Sequence, residues 1–269
     1  MPDNPFSESE LGQFHTLVDI VARLRAPGGC PWDREQTHSS LKRNLLEECY
    51  EVLEAIDRGE PGLLAEELGD LLVQVAFHAQ IAAEAGAFTL ADALSSINRK
   101  LVRRHPHVFG DATVADAREV ERNWEKLKEQ EKRQKGTVQS PVTGIPRDLP
   151  ALTYAQLMQD RASKAGFDWD DIAGVLDKVE EEIAELRRAA SPKEKAHELG
   201  DLLFALVNLS RWMGLHAEDA LRQSSRRFQG RYLKMEELAA QRGLDFAALT
   251  LAEKEALWQE AKRLEGASA

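Results

Sequence analysis

A block of acidic residues occurs twice in this chain, in the same order and with similar surroundings. The first copy reads Glu47-Glu48-x-x-Glu51 and, after a Gly-Pro break, Glu67-Leu68-Gly69-Asp70. The second reads Glu181-Glu182-x-x-Glu185 and then Glu198-Leu199-Gly200-Asp201. Other pairs recur with the block at an offset of about 130 residues: Trp32-Asp33 with Trp169-Asp170, and Trp124-x-x-x-Lys128 with Trp258-x-x-x-Lys262. That spacing is far longer than a solenoid repeat. A duplicated domain is the simplest account, and each copy then has to bring its own carboxylates together.

Apolar residues recur at three- and four-residue steps almost throughout, the period of an amphipathic helix. Leu11, Phe14, Leu17, Val18, Val21 and Leu24 mark a first helix that ends at Pro27-Gly28-Gly29. Leu41, Leu45, Leu46, Tyr50, Val52, Leu53 and Ile56 carry a second helix to Arg58. A third is predicted from near Leu63 to Gly86, a fourth from Thr89 to Arg104, and a charged fifth from about Ala115 to Lys135. Gly136 to Pro150 is broken by glycine, serine and proline and reads as a linker. Helices resume over Leu152 to Lys164, and four more follow with breaks near Ser191-Pro192, Gly214 and Gly243. Nowhere is there a period-two run of β-branched residues. The expected fold is all-α, a helical-bundle domain present twice, over 1–135 and 151–269, with 136–150 between them. Asp70 opens the apolar run Leu71 to Phe77, and Asp201 opens Leu202 to Val207, so the carboxylates are expected where a buried helix begins.

The net charge is −11 over 269 residues, with basic side chains dispersed rather than gathered in a tract. Duplex binding needs a clustered positive surface, so no nucleic-acid partner is expected. No apolar stretch reaches the roughly 18 to 20 residues that span a bilayer, and the polar start Met1-Pro2-Asp3-Asn4-Pro5 carries no signal pattern. Cys30 and Cys49 lack metal-ligand spacing and read as reduced thiols. The expectation is a cytoplasmic protein without a membrane partner.

On a helix, Glu47, Glu48 and Glu51 share a face, and so do Glu67 and Asp70 on the next. The short Gly-Pro connection makes those helices antiparallel neighbours, which lets the acidic pairs converge. A single Glu-x-x-Glu is usually a solvated face with i,i+4 ion pairs. Two converging pairs beside apolar runs, present twice, favour a bound cation instead. Hard oxygen ligands point to Mg²⁺, with Mn²⁺ as a substitute. Four carboxylates outweigh one divalent ion, which fits a paired-metal phosphoryl site. A di-iron bundle needs Glu-x-x-His on two helices. Glu194-x-x-His197 supplies one, but Leu63 and Glu66 stand in its place in the first half, so that chemistry is rejected. No Gly-rich phosphate loop is present.

These motifs resemble those of the MazG-type nucleoside triphosphate pyrophosphohydrolases in their two-domain form, from Leu17 to about Lys262. Gly29-Cys30-Pro31-Trp32-Asp33 and Arg104-His105-Pro106-His107-Val108-Phe109 narrow the likeness beyond the acidic pattern, which dUTP, dCTP and histidine-pathway hydrolases share. The resemblance implies an all-α fold and Mg²⁺-dependent cleavage of nucleoside triphosphates to monophosphate and pyrophosphate, as nucleotide-pool control. It further implies a homodimer. Glu48, Glu51, Glu67 and Asp70 match metal ligands, as do Glu182, Glu185, Glu198 and Asp201. Glu47 and Glu181 match a position that orders or deprotonates the attacking water. Lys100, Arg104, Trp124 and Lys128 correspond to nucleotide-binding groups in the first half, and Arg227, Arg231, Trp258 and Lys262 in the second. A dedicated dUTP or dCTP hydrolase and a non-enzymatic helical module are the alternatives. Trp32 and Trp169 read as core or loop anchors, and His105 and His107 as partners of local backbone groups.

Overall fold

The computed structural model describes residues 6–117, 119–120, 123–124, 127, 131 and 140–267. All regular structure among them is helical. Most of the predicted fifth helix, with Lys128, lies outside the described residues. The chain divides into two compact units, Met1–Thr137 and Val138–Ala269.

The first unit contains α1 (Glu8–Leu11), α2 (Phe14–Arg25), α3 (Pro31–Glu35), α4 (Lys42–Arg58), α5 (Pro61–Glu84), α6 (Leu90–Arg104) and α7 (Pro106–Phe109). Helices α4 and α5 form a tight hairpin. Gly59 ends α4 at φ 65°, a left-handed conformation that glycine adopts without a Cβ penalty, and Pro61 starts α5 with its fixed φ. Helix α2 packs on α5, and Val21, Leu41, Ala76 and Phe77 form the buried core there. Arg25 ties three elements together. Its guanidinium donates to the carbonyls of Asp33 and Gln36 and to both carboxylate oxygens of Glu84.

The loop after α2 folds back on that helix, with the Cys30 N–H donating to the Leu24 carbonyl at 2.8 Å. A Cβ on Gly29 would stand 2.4 Å from the carbonyl oxygens of both Arg23 and Leu24. Backbone cannot swing aside as a side chain can. Gly29→Ala is therefore expected to destabilise the first unit by about 2 kcal/mol or more, measurable as a lower urea midpoint with unchanged slope.

The second unit contains α8 (Ala151–Lys164), α9 (Ile172–Arg188), α10 (Pro192–Trp212), α11 (Ala217–Gln241), a 3-10 turn (Phe246–Ala248) and α12 (Leu251–Ala267). Helices α9 and α10 repeat the hairpin, here with Ser191 and Glu194 in a reciprocal cap and Pro192 at the first turn. Helices α11 and α12 enclose a core of Met235, Leu238, Ala239, Leu257 and Ala261. The buried Gln156 bridges α8 to the start of α11, donating to the Leu215 carbonyl and accepting from the Ala217 N–H. Residues 140–150 pack with this unit: Ile145 is buried, and Arg161 donates to the carbonyl of Thr143 at 2.7 Å.

The carboxylates of Glu67 and Asp70, and of Glu198 and Asp201, lie about two turns inside α5 and α10 rather than at their starts, and both helices are only half buried within their own units. Helix α5 buries Ala76, Phe77 and Ala79, but Leu68, Leu72 and Val75 form an exposed stripe, with Leu72 44% exposed. Leu199, Leu203 and Leu206 on α10 repeat that stripe in the same register, with Leu203 46% exposed. The expectation of a buried helix holds for one face of each. No described helix is long and apolar enough to cross a membrane.

Candidate active site

The α4–α5 hairpin brings Glu48 and Glu51 against Glu67, with carboxylate oxygens within 4.8 Å of one another. Burial, then the charges of Asp70 and Glu51, push the Glu48 carboxyl up. Desolvation, then Glu51 and Asp70, push Glu67 up. Asp70 stands outside the close triad and acts on it through its charge. Ionised together at neutral pH, these groups repel, and a hard divalent cation relieves that repulsion.

The second hairpin gathers Glu182, Glu185 and Glu198 in the same way, and Glu198 also belongs to an adjoining group with His197 and Asp201. His197 Nδ1 lies 2.9 Å from Asp201 Oδ2. Glu182 is 4% exposed. Its Oε1 accepts from Lys178 Nζ at 2.7 Å, while Oε2 is enclosed with no hydrogen-bond partner among the described residues. An unpartnered buried carboxylate oxygen is costly. With Glu185 and Glu198 beside it and Asp201 adjoining Glu198, the donor set fits an oxygen-seeking divalent cation. Lys178 is the group that sequence reasoning missed. It also meets Glu181 Oε1 at 3.1 Å, and Glu182 first, then Glu181, raise its pKa. Its place four residues before the second glutamate is Asn44 in the first unit.

Glu47 and Glu181 are exposed on their helices, and Arg43 Nε donates to Glu47 at 2.8 Å. The basic and aromatic groups form a second constellation, repeated in both units. Arg104 stacks over Trp124 and pairs with Glu131, whose carboxyl is lowered to about 2 by Arg104 and Arg103 against the effect of burial. Arg231 stacks over Trp258 and pairs with Glu265 at 2.7 Å. Glu131 and Glu265 each follow their tryptophan by seven residues, so this pairing too has a repeated signal in the sequence. Lys100 sits one turn before Arg104 on α6, while Arg227 and Lys262 are exposed on α11 and α12. His105 Nδ1 meets the Leu101 carbonyl at 2.7 Å, the local backbone role expected of it.

A cavity of about 790 Å³ opens beside the second carboxylate group. Lys178, Glu182 and Asp201 stand at one part of its wall, Met158, Phe167, Trp169 and Phe204 give it apolar and aromatic surface, and Asn208 and Arg211 complete it further along α10. Its volume falls within the roughly 300–1,000 Å³ of small-molecule sites. Trp169 is thus no core anchor; it is 46% exposed and rests with its ring edge over Gly174, where a Cβ would come within 2.9 Å. Trp32 is more exposed still, at 61%. The Phe167–Trp169 loop is pinned by Asp168, which accepts from Arg211, Ser163 Oγ, the Trp169 N–H and Trp212 Nε1. Burial alone raises the Asp168 carboxyl, but those donors override it and hold the group far below the usual carboxylate range.

Residues 36–109 match the family model of the MazG nucleotide pyrophosphohydrolase domain, and residues 153–228 match that of phosphoribosyl-ATP pyrophosphohydrolase. The chain is 49% identical to the nucleoside triphosphate pyrophosphohydrolase/pyrophosphatase MazG of Thermotoga maritima, over 93% of this chain and 95% of that protein. It is 45% identical to the nucleoside triphosphate pyrophosphohydrolase of Escherichia coli, over 95% of this chain and 99% of that one. A Mycobacterium tuberculosis protein of the same name is 44% identical over 59% of this chain and 48% of its own length.

Proposed function

The chain belongs to the MazG family of nucleotide pyrophosphohydrolases, and we propose that it hydrolyses nucleoside triphosphates to nucleoside monophosphates and pyrophosphate, controlling the nucleotide pool. The observation that carries this reading is the cavity whose wall includes Glu182 and Asp201, a nucleoside-sized space ending at a carboxylate group. The nucleoside enters the cavity with its base against Trp169 and Phe204, and its phosphates extend towards the carboxylates. Lys178 exchanges Glu181 and Glu182 for a phosphate oxygen, which frees Glu181 to accept a proton from the attacking water. Arg231 likewise exchanges Glu265 for the leaving pyrophosphate. Glu182, Glu185, Glu198 and Asp201, and in the first unit Glu48, Glu51, Glu67 and Asp70, are the residues that hold divalent metal, which we assign as Mg²⁺. When bound, the metal supplies charge neutralisation at the phosphate oxygens and lowers the pKa of water.

A chelator is expected to abolish hydrolysis and Mg²⁺ or Mn²⁺ to restore it, with monophosphate and pyrophosphate as products. Diphosphate and orthophosphate would mean that the wrong bond is cleaved and would end this assignment. Because neutral pH holds the acidic groups in mutual repulsion, Mg²⁺ should also raise the melting temperature without any substrate.

The repeated stripes Leu68–Leu72–Val75 and Leu199–Leu203–Leu206 leave apolar surface open on each unit. We assign their burial to a homodimer. Sedimentation should show it at micromolar concentration, and a stable monomer there refutes the assignment.

A further inference from the structure

We infer that Asn208 reads the base, and that the cavity favours a base with a carbonyl oxygen at its far edge over one with an amino group there. This rests on the proposal that the cavity holds the substrate's nucleoside. Arg211 donates to Asn208 Oδ1 from both Nε, at 3.0 Å, and Nη2, at 2.8 Å. A guanidinium has no acceptor, so these bonds settle which end of the amide faces which way. The Nδ2 group of this lining residue is left as a donor with no acceptor among the described residues.

The remaining groups at that end reinforce the sign. Arg211 itself offers only donors. Asp168, the nearest carboxylate to it, already accepts from Arg211, Ser163, Trp212 and the Trp169 N–H. Gln159 is also on the wall; its amide nitrogen is committed to the Phe204 carbonyl at 2.8 Å, and its Oε1, although it has no hydrogen-bond partner among the described residues, is fully buried and out of reach of a ligand in the cavity. A base amine directed there meets donor against donor, whereas a carbonyl oxygen gains a bond. Asn208 follows Asp201 by seven residues on α10, a rise of about 10 Å. That is close to the reach of a nucleotide from its α-phosphorus to the far edge of its base. The groups that differ at that edge are the 6-oxo or 6-amino substituents of purines and the 4-oxo or 4-amino substituents of pyrimidines.

The test compares kcat/KM for ITP against ATP and for UTP against CTP with saturating Mg²⁺. The oxo member of each pair is expected to be preferred by about tenfold or more. Asn208→Asp keeps a partner for Arg211 and replaces the donor by an acceptor, so both ratios should fall by about tenfold or invert. Ratios near one in the native protein, or ratios that persist in folded Asn208→Asp, overturn the inference. If Asn208→Asp does not fold, the two native ratios decide. If no triphosphate releases pyrophosphate, the proposed reaction fails by itself. Base reading is then scored by quenching of tryptophan fluorescence with IMP and AMP, where equal affinities overturn it and tighter IMP binding supports it.

Discussion

Asp201→Ala is expected to lower turnover by at least about a hundredfold, since it removes charge that stabilises the transition state at the phosphates. Asp201 lines the cavity and lies in the group that includes Glu198 and His197. Asp70→Ala should reduce turnover less. At the place of Asn208 in the repeat, the first unit has Phe77, which is buried in the core against Val21. At the place of Ala162 it has Arg25, which is engaged with Glu84, Asp33 and Gln36. Large side chains therefore occupy positions that in the second unit border the cavity. Both variants should be compared at equal folded concentration, checked by circular dichroism, with saturating Mg²⁺ and triphosphate. A greater loss in Asp70→Ala would reverse the assignment of the working unit. No loss in either variant alone would mean that the halves act redundantly.

Asp168→Ala should cost the second unit about 3 kcal/mol, because it leaves the largely buried Arg211 without its carboxylate. The cavity should suffer as well, since Asp168 is what fastens the Phe167–Trp169 loop to α10. The pH dependence has a definite sign. The Asp168 carboxyl titrates below its unfolded value, so its contribution is complete above about pH 4 and is lost as pH falls towards the folded pKa. Urea unfolding at neutral pH and near pH 3 should show the native protein losing more stability on acidification than Asp168→Asn, which has no charge to lose there. An equal loss in both would show that Asp168 contributes nothing through its ionisation.

Several elements were legible because local patterns dictate them. The three- and four-residue apolar steps, the Gly59-Glu60-Pro61 break and the Ser191-Pro192 start define two hairpins with little help from the rest of the chain. The duplication followed from the repeated acidic blocks, and a hairpin with Glu-x-x-Glu on one arm and Glu-x-x-Asp on the other can hardly avoid bringing carboxylates together. The likeness to a pyrophosphohydrolase family rested on those same short motifs.

What the tertiary structure decided depends on contacts between residues distant in sequence. Trp169 reads in the sequence as a core or loop anchor because tryptophan is usually buried; its seat on Gly174 fits the loop role rather than the core one, and the pinning of Asp168 from α10 makes it part of a cavity wall as well. Lys178 was an ordinary helical lysine until the hairpin enclosed Glu182 and left it the cation at hand. Arg104 and Arg231 match nucleotide-binding positions in the sequence, and packing adds what the sequence does not state, a tryptophan and a glutamate partner for each. The two units share a motif and differ in what surrounds it. A motif depends on spacing along one helix, whereas a cavity depends on which side chains of other helices fill the space, and residues such as Phe77 and Asn208 carry that difference without altering the pattern around them.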